Sequence, residues 1–279
     1  MLIDTHAHLN FSAFKNDLDE VMGRITDSGM KVINVGSQLT TSRRAVELAK
    51  KYPGTCYAAI GLHPIHLFEM HVDVEEMPFN SRQEDYLTES YRTLALRPGV
   101  VAVGEVGLDY FQKPDDVSVT DFKMKQKWVF LRQLKLAKEL QLPVILHCRG
   151  AQVDMRRAYL DMLQVMTEAD YFRAVVHCFT ADWEIAKKFV DIGCMISFTG
   201  IITYPKTDKL TTVVKRLPME KIMVETDCPY LAPQIVRGQR NEPRFVQYVA
   251  GRIADIKGLS YDEVEEATGN NALQFFNLK

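Results

Sequence analysis

No apolar run in this chain reaches the roughly 18 residues that a membrane helix needs, so no membrane span is expected. The N-terminus lacks the basic, apolar and small-residue succession of a secretory signal, and a cytoplasmic location is the expectation. The five cysteines (Cys56, Cys148, Cys178, Cys194, Cys228) are odd in number and contain no C-x-x-C pair. They speak against a disulfide frame and for reduced thiols. An excess of one charge is missing too: 34 Lys and Arg stand against 36 Asp and Glu, a net charge of −2. That excludes a globally basic nucleic-acid binder and leaves room for a local basic pocket. There is no low-complexity tract and no repeat beyond a βα unit. Histidine is scarce, with seven in 279 residues.

The placement of those few histidines is informative. The first apolar segment reads Met1-Leu-Ile-Asp-Thr-His-Ala-His-Leu9. In a β-strand, residues i and i+2 point to one face, so His6 and His8 converge and Thr5 and Ala7 take the other. Two neutral imidazoles aimed at one point make half of a transition-metal site. An isolated pair would more simply bond to backbone or water. Here five histidines (His6, His8, His63, His147, His177) fall at the ends of predicted strands.

Apolar runs alternate with helical patterns along the chain. Strands are predicted at Leu2–His8, Lys31–Ser37, Cys56–His63, Val100–Asp109, Pro143–Arg149, Ala174–Phe179, Cys194–Gly200 and Ile222–Pro229. Helices are predicted at about Asp17–Ser28, Thr40–Lys51, Gln83–Leu96, Val119–Leu140, Met155–Met166, Trp183–Asp191, Asp208–Arg216 and Glu242–Lys257. Tyr261–Asn277 reads as one or two closing helices. Eight strand–helix units over this length fit a TIM (β/α)8 barrel with extra C-terminal helices better than a doubly wound sheet, as one domain over residues 1–279. The connection Pro64–Gln83, with His66, His71 and a cluster of acids, reads as a loop on the active-site face or a surface insertion. His66 and His71 are expected at the surface.

In such barrels catalytic groups stand at the C-terminal ends of the strands. Here those ends carry His6 and His8, then His63, then Glu105 and Asp109, then His147 and Arg149, then His177, and finally Glu225 and Asp227. His147 and His177 are 30 residues apart, one βα unit, and so take equivalent places on neighbouring strands. A carboxylate at the end of an apolar strand is costly unless paired or metal-bound. His6, His8, Glu105, His147, His177 and Asp227 together exceed the four ligands of a closed structural zinc site. They suit two divalent ions (Zn, Mg or Mn) about 3.5–4 Å apart, bridged by a carboxylate. Glu105, alone on its strand between the histidine pairs, is the natural bridge.

The chain resembles the TatD family of metal-dependent deoxyribonucleases, within the amidohydrolase-like barrels, over nearly its whole length. The resemblance rests on Asp4-Thr-His-Ala-His8, Gly61-Leu-His-Pro64, Gly104-Glu-Val-Gly-Leu-Asp-Tyr110, His147-Cys-Arg149, His177-Cys-Phe179, Glu225-Thr-Asp-Cys-Pro-Tyr-Leu-Ala-Pro233 and Arg240-Asn-Glu-Pro243. It implies hydrolysis of phosphodiester bonds in DNA at a one- or two-metal site. Carried over position by position, His6, His8, Glu105 and Asp227 would hold one metal, and Glu105, His147 and His177 the second. The chain departs from the family at three places. Gly150 stands where an acid is common, Gln239 replaces a usual Lys before Arg240, and the Pro64–Gln83 connection is longer and more acidic.

Several roles follow, each beside a plainer alternative. Asp227 is the candidate to accept a proton from the attacking water, or is a ligand only. Arg149 faces the same side as His147 and could grip a phosphate bidentately, or form a salt bridge to Glu225 or Asp109. His63 could donate to a phosphate oxygen or act as general acid, or simply cap its strand before Pro64. Glu225 and Asp109 read as carboxylates that fix a ligand or Arg149. Alternation turns Cys148, Cys178 and Cys228 away from the metals, toward core packing. Tyr110, Phe111, Phe179 and Tyr230 could stack on bases or pack the rim. The leading expectation is a DNA phosphodiesterase, a 3'-5' exonuclease on single-stranded ends, acting as a monomer. A hydrolase of a small amide, lactone or phosphoester is the alternative; many such barrels bridge their metals with a modified lysine where this chain has Glu105. A metal-stabilised scaffold without activity is a third reading, and it would need only four ligands.

Overall fold

The computed structural model describes residues 1–69, 71–72 and 79–279. Eight strands lie side by side in sequence order: β1 (Ile3–Ala7), β2 (Lys31–Val35), β3 (Cys56–Ile60), β4 (Val100–Asp109), β5 (Val144–Arg149), β6 (Ala174–Val176), β7 (Met195–Phe198) and β8 (Ile222–Val224). Every neighbouring pair is parallel. A parallel bridge between Ala7 and Cys228 joins the last strand to the first and closes a TIM barrel. Helices α1 (Leu18–Asp27), α2 (Leu39–Lys51), α3 (Thr88–Ala95), α4 (Val119–Leu140), α5 (Met155–Ala169), α6 (Trp183–Asp191), α7 (Asp208–Arg216), α8 (Val246–Lys257) and α9 (Tyr261–Phe276) wrap it. No described helix is long and apolar enough to cross a membrane.

All eight predicted strands form, most of them shorter at the C-terminal end than the apolar pattern suggests. The residues beyond each ladder turn into the barrel mouth instead. Two helices start later than their periodicity predicts. In the stretch before α3 the Glu84 carboxylate accepts the Leu39 N–H at 3.2 Å and the Tyr91 hydroxyl at 2.6 Å, and Tyr86 is buried. Those side chains hold residues 83–87 against α2 and postpone the helix to Thr88. Before α8, Pro243 opens a short 3-10 turn while Glu242 is held by Arg24.

Residues 70 and 73–78 lie outside the described part, so the expected insertion is described only at its flanks. A two-residue antiparallel ladder, His71–Val72 with Phe79–Asn80, connects them. The reading of the His71 side chain as exposed also falls outside the described residues. His66, expected at the surface, is buried, 8 % exposed. It belongs to the 3-10 turn Pro64–Leu67, with its ring 6.4 Å from that of His63.

Two apolar layers hold the barrel. Strand residues facing outward pack under the helices. Inside, Ile3, Ile33, Ala59, Ile145, Val175 and Met223 meet Ala272 and Phe276 of α9. The last helix thus plugs the barrel floor. Burying a side chain such as Phe276, 2 % exposed, contributes about 1.5–3 kcal/mol. Between α4 and α5, buried Asp161 accepts from Lys127 at 2.8 Å, Arg157 at 2.8 Å and the Tyr110 hydroxyl at 3.0 Å.

The sheet departs from regular pairing at two places that matter for the mouth. In β1, Asp4 pairs with Val32 but Ala7 pairs with Asn34, so three steps on one strand match two on the other. Ile3 therefore faces the inner layer and Ala7 the outer one, against simple alternation. In β4 the register also slips by one between Val103 and Val106, across Glu105. Such bulges bend a strand and re-aim its side chains. They turn His6, His8 and Glu105 toward a common centre.

Candidate metal centre

The strand ends bring together the side chains that alternation alone could only place on a face. His6 Nε2 lies 3.1 Å from His8 Nε2, 3.5 Å from Glu105 Oε2 and 3.6 Å from Asp227 Oδ1. His8 Nε2 lies 3.8 Å from Glu105 Oε2 and 3.4 Å from Asp227 Oδ1. Ligands at about 2.0–2.2 Å around a tetrahedral ion are about 3.3–3.6 Å apart, which is the scale of these separations. The other Glu105 oxygen, Oε1, lies 2.7 Å from His147 Nδ1, 2.8 Å from His177 Nε2 and 3.5 Å from His63 Nε2. This second group is drawn tighter, to hydrogen-bond distances.

The surroundings of each ring decide which nitrogen faces the centre. His8 Nδ1 donates to the Val35 carbonyl at 2.9 Å, which leaves a lone pair on Nε2. His177 Nδ1 donates to Glu225 Oε1 at 3.2 Å, which again frees Nε2. His147 Nε2 donates to Asp109 Oδ2 at 3.0 Å and leaves Nδ1 inward. His63 is the exception. Its Nδ1 accepts the Ile65 N–H at 3.1 Å, so its proton sits on Nε2, the nitrogen that faces Glu105. His147 and His177 carry a proton on the inward nitrogen as well, given to Glu105 Oε1; with that proton lost they join His8 in offering a lone pair, whereas His63 offers a proton. Glu225 also accepts the Cys178 N–H at 2.6 Å.

These residues fit a divalent cation. Glu105, Glu225 and Asp109 are buried. The ion pairs of Glu105 among the described residues are with imidazoles alone. Burial pushes the Glu105 carboxyl up, but the His177, His63 and His6 rings hold it well below the usual carboxylate range. Asp227 is likewise held low, against burial, by His8 and its neighbours. Burial alone would lower His147, yet Asp109 and Glu105 raise it to about 9. The anionic groups thus draw positive charge into the centre, here as ring protons. His6 is buried with Nδ1 unpartnered among the described residues, and its ring stacks on His177 at 4.0 Å. Burial and the His177 charge push it toward the neutral form, the form that ligates.

Arg149 stands at the edge of this group rather than in it. Its guanidinium lies over the Phe111 ring, 3.6 Å from the centroid, above a small pocket edged by Pro64, Ile65 and Gln126. Its charge still helps hold Asp109 low. Tyr110 and Phe179 are buried, which makes them packing residues. Phe111 and Tyr230 remain at the rim, half-buried. Cys148 and Cys228 sit in the outer core. Burial pushes the Cys178 thiol up to about 12.

The structure adds groups that motif reading passed over. Gln126 of α4 exchanges two hydrogen bonds with the Asp109 backbone, at 2.8 and 2.7 Å. Gln133, one heptad on, does the same for Leu62, at 2.8 and 3.0 Å. Two buried glutamines spaced by seven on the inward face of a helix are the signal. Gly107 and Gly150 are needed where the mouth is tightest. A Cβ on Gly107, at φ +147°, would lie 2.1 Å from the His147 carbonyl oxygen, and one on Gly150 would lie 2.2 Å from that of Met155. Any side chain at Gly150 would have to displace the Met155 backbone.

Comparison with known proteins agrees with this geometry. Residues 3–277 match the family described as TatD related DNase. The chain is 36 % identical to the uncharacterized metal-dependent hydrolase YabD of Bacillus subtilis, over 100 % of both chains. It is 30 % identical to the 3'-5' ssDNA/RNA exonuclease TatD of Yersinia pseudotuberculosis, over 99 % of this chain and 100 % of that one. Among solved structures, YjjV, a TatD homolog from Escherichia coli, superposes with a TM-score of 0.82 at 32 % identity, covering 100 % of this chain and 98 % of the other.

Proposed function

Because the chain belongs to the TatD related DNase family and is a metal-dependent hydrolase, we propose that it cleaves phosphodiester bonds of DNA from single-stranded 3' ends at a two-ion centre. One observation carries the reading. The two oxygens of Glu105 face two different groups, Oε2 toward His6 and His8, Oε1 toward His147 and His177. A carboxylate so placed would hold an ion on each side. On this reading His6, His8, Glu105 and Asp227 hold one ion, and Glu105, His147 and His177 the other. When bound, the ions would acidify a water and neutralise charge on the phosphoryl oxygens.

The chain's own residues supply the remaining steps. Asp227, beside His6 and His8, accepts the proton of the attacking water. His63 carries its proton on Nε2 because Ile65 N–H occupies Nδ1. It can give that proton to the departing oxygen, so the proton lost at one side of phosphorus is matched at the other. Asp109 and Glu225 orient His147 and His177 by holding their outer nitrogens. Arg149 is close enough to the mouth for its charge to act on Asp109. Stacking on Phe111 pre-sets its fork for a phosphate, with an aromatic face beside it for a base.

End-labelled single- and double-stranded DNA, assayed with and without Mn²⁺ or Zn²⁺, tests the reading. Shortening of single strands from the 3' end is the expected result; metal-dependent turnover of small esters or amides with DNA left intact would overturn it. Arg149→Ala separates a phosphate reader from a general hydrolase. It should slow DNA cleavage about 10- to 1000-fold with metal content kept, and leave hydrolysis of a small neutral ester nearly unchanged. Equal losses on both substrates would make Arg149 structural.

A further inference from the structure

The seam of the barrel, where β1 meets β8, has one backbone bridge and a side-chain clip. β8 ends at Val224 and leaves the Thr226 N–H beyond its ladder, while the bulge in β1 takes the His6 N–H out of register. A single carboxylate collects both. Asp4 Oδ1 accepts the Thr226 N–H at 2.9 Å and the His6 N–H at 3.2 Å. Asp4 Oδ2 accepts the Thr226 hydroxyl at 2.5 Å. The same hydroxyl accepts the Cys228 N–H at 3.2 Å. Two backbone bonds flank the clip: Asp227 N–H to the His6 carbonyl, and His8 N–H to the Cys228 carbonyl, both 2.8 Å.

Asp4 is fully buried and faces no Lys or Arg among its hydrogen-bond partners. A hydrophobic residue would serve a mere strand better, since a buried carboxylate is costly. What it holds are the two segments that carry His6, His8 and Asp227. We propose that Asp4 is a positioning residue that clips the β1 bulge to the β8 loop and thereby fixes the relative placement of His6, His8 and Asp227. It never touches substrate. It rests on the reading that these three residues hold one ion, and it extends that reading to how the site is built. His147 stands on another strand and is outside its reach; His177 is touched only at second hand, through Glu225 beside Thr226 and through its stack on His6.

That separation makes the proposal testable. Titrate full-length apoprotein with Co²⁺, following visible absorption and calorimetric stoichiometry, and use His8→Ala and His177→Ala to assign the two sites. Two ions are expected for the wild type. Asp4→Ala should weaken the His6/His8/Asp227 site about 10- to 100-fold and leave the other within about threefold. kcat should fall while KM holds. Asp4→Asn keeps an oxygen for both N–H groups and should recover part of the loss. If Asp4→Ala does not fold, Thr226→Val still decides, because it removes only the hydroxyl; a smaller loss confined to the same site is expected. Variants that match the wild type, or that weaken both sites alike, overturn the proposal. A wild type that takes up no Co²⁺ overturns the two-ion reading with it, whereas two ions bound with wild-type affinity in every Asp4 and Thr226 variant overturn this proposal alone.

Discussion

At the scale of single residues the mouth is organised by what each ring is attached to on its far side. Val35, Glu225 and Asp109 hold outer nitrogens and leave inner ones free, while Ile65 does the reverse to His63. Glu105 turns one carboxylate oxygen to each half, so its loss should cost more than loss of a terminal ligand. Glu105→Ala should remove nearly all activity with the fold kept, and should be more damaging than His8→Ala when the two are compared at equal metal loading. Paired turnover and metal-content measurements check this; the opposite order would refute the bridge. Every member of the group could be picked from the sequence, because period-two spacing and strand ends fix which face a residue takes. Their separations could not, since they depend on eight strands meeting. Arg149 lies flat on Phe111, a partner supplied by a loop with no periodicity to read. His66 was misplaced for a related reason: its burial comes from chain far along, where Glu84 N–H bonds its carbonyl.

At the scale of elements, two one-residue bulges and two helix-borne glutamines carry the site. The glutamines show only as two polar interruptions seven apart on an inward face, and the bulges leave no clear mark on a hydrophobic pattern that reads the same on either side of them. The helix α4 was legible to its ends because Ser118 caps it, accepting from Asp121 N–H, and Phe122, Val129, Phe130, Leu134 and Ala137 recur at helical spacing. The helix α3 was not, because Glu84 and Tyr86 serve tertiary contacts and win over local propensity. The pairing of α4 with α5 is electrostatic as well as apolar. Burial pushes the Asp161 carboxyl up, but Lys127, Tyr110 and Arg157 bring it below its ordinary value. A carboxyl lowered by folding stabilises the fold above its unfolded value, about 3.9, and loses that contribution as pH falls through the lower folded one. Asp161→Asn should therefore cost about 1–3 kcal/mol near neutral pH, a drop of a few degrees in Tm. The gap to the wild type should narrow below about pH 4. Thermal melts from pH 3 to 7 check it; a gap that stays constant would mean the cations contribute nothing specific.

At the scale of the whole molecule, the barrel gathers buried carboxylates and imidazoles at one end, where a cation would replace ring protons. Removing metal with a chelator should then cost stability as well as activity. Melting in EDTA against melting with Zn²⁺ or Mn²⁺ should show the difference, about 2.7 kcal/mol for an ion at a hundred times its Kd. Activity should return when metal does. An unchanged Tm would argue against tight ions at the buried centre. The barrel itself was legible because strand and helix alternate at near-constant spacing. The plug was not: Ala272, Leu273, Phe275 and Phe276 are all apolar, and only docking decides that Ala272 and Phe276 reach the inner layer. That plug sets an order of events during folding. Ile3 and Phe276 share one buried cluster although they stand near opposite ends of the residues described. Until α9 docks, the floor of the barrel is open to water, and Ile3, Ile33 and Met223 stay wet on their inner side. The eight strands can pair before that step, but the inner layer becomes dry only with it.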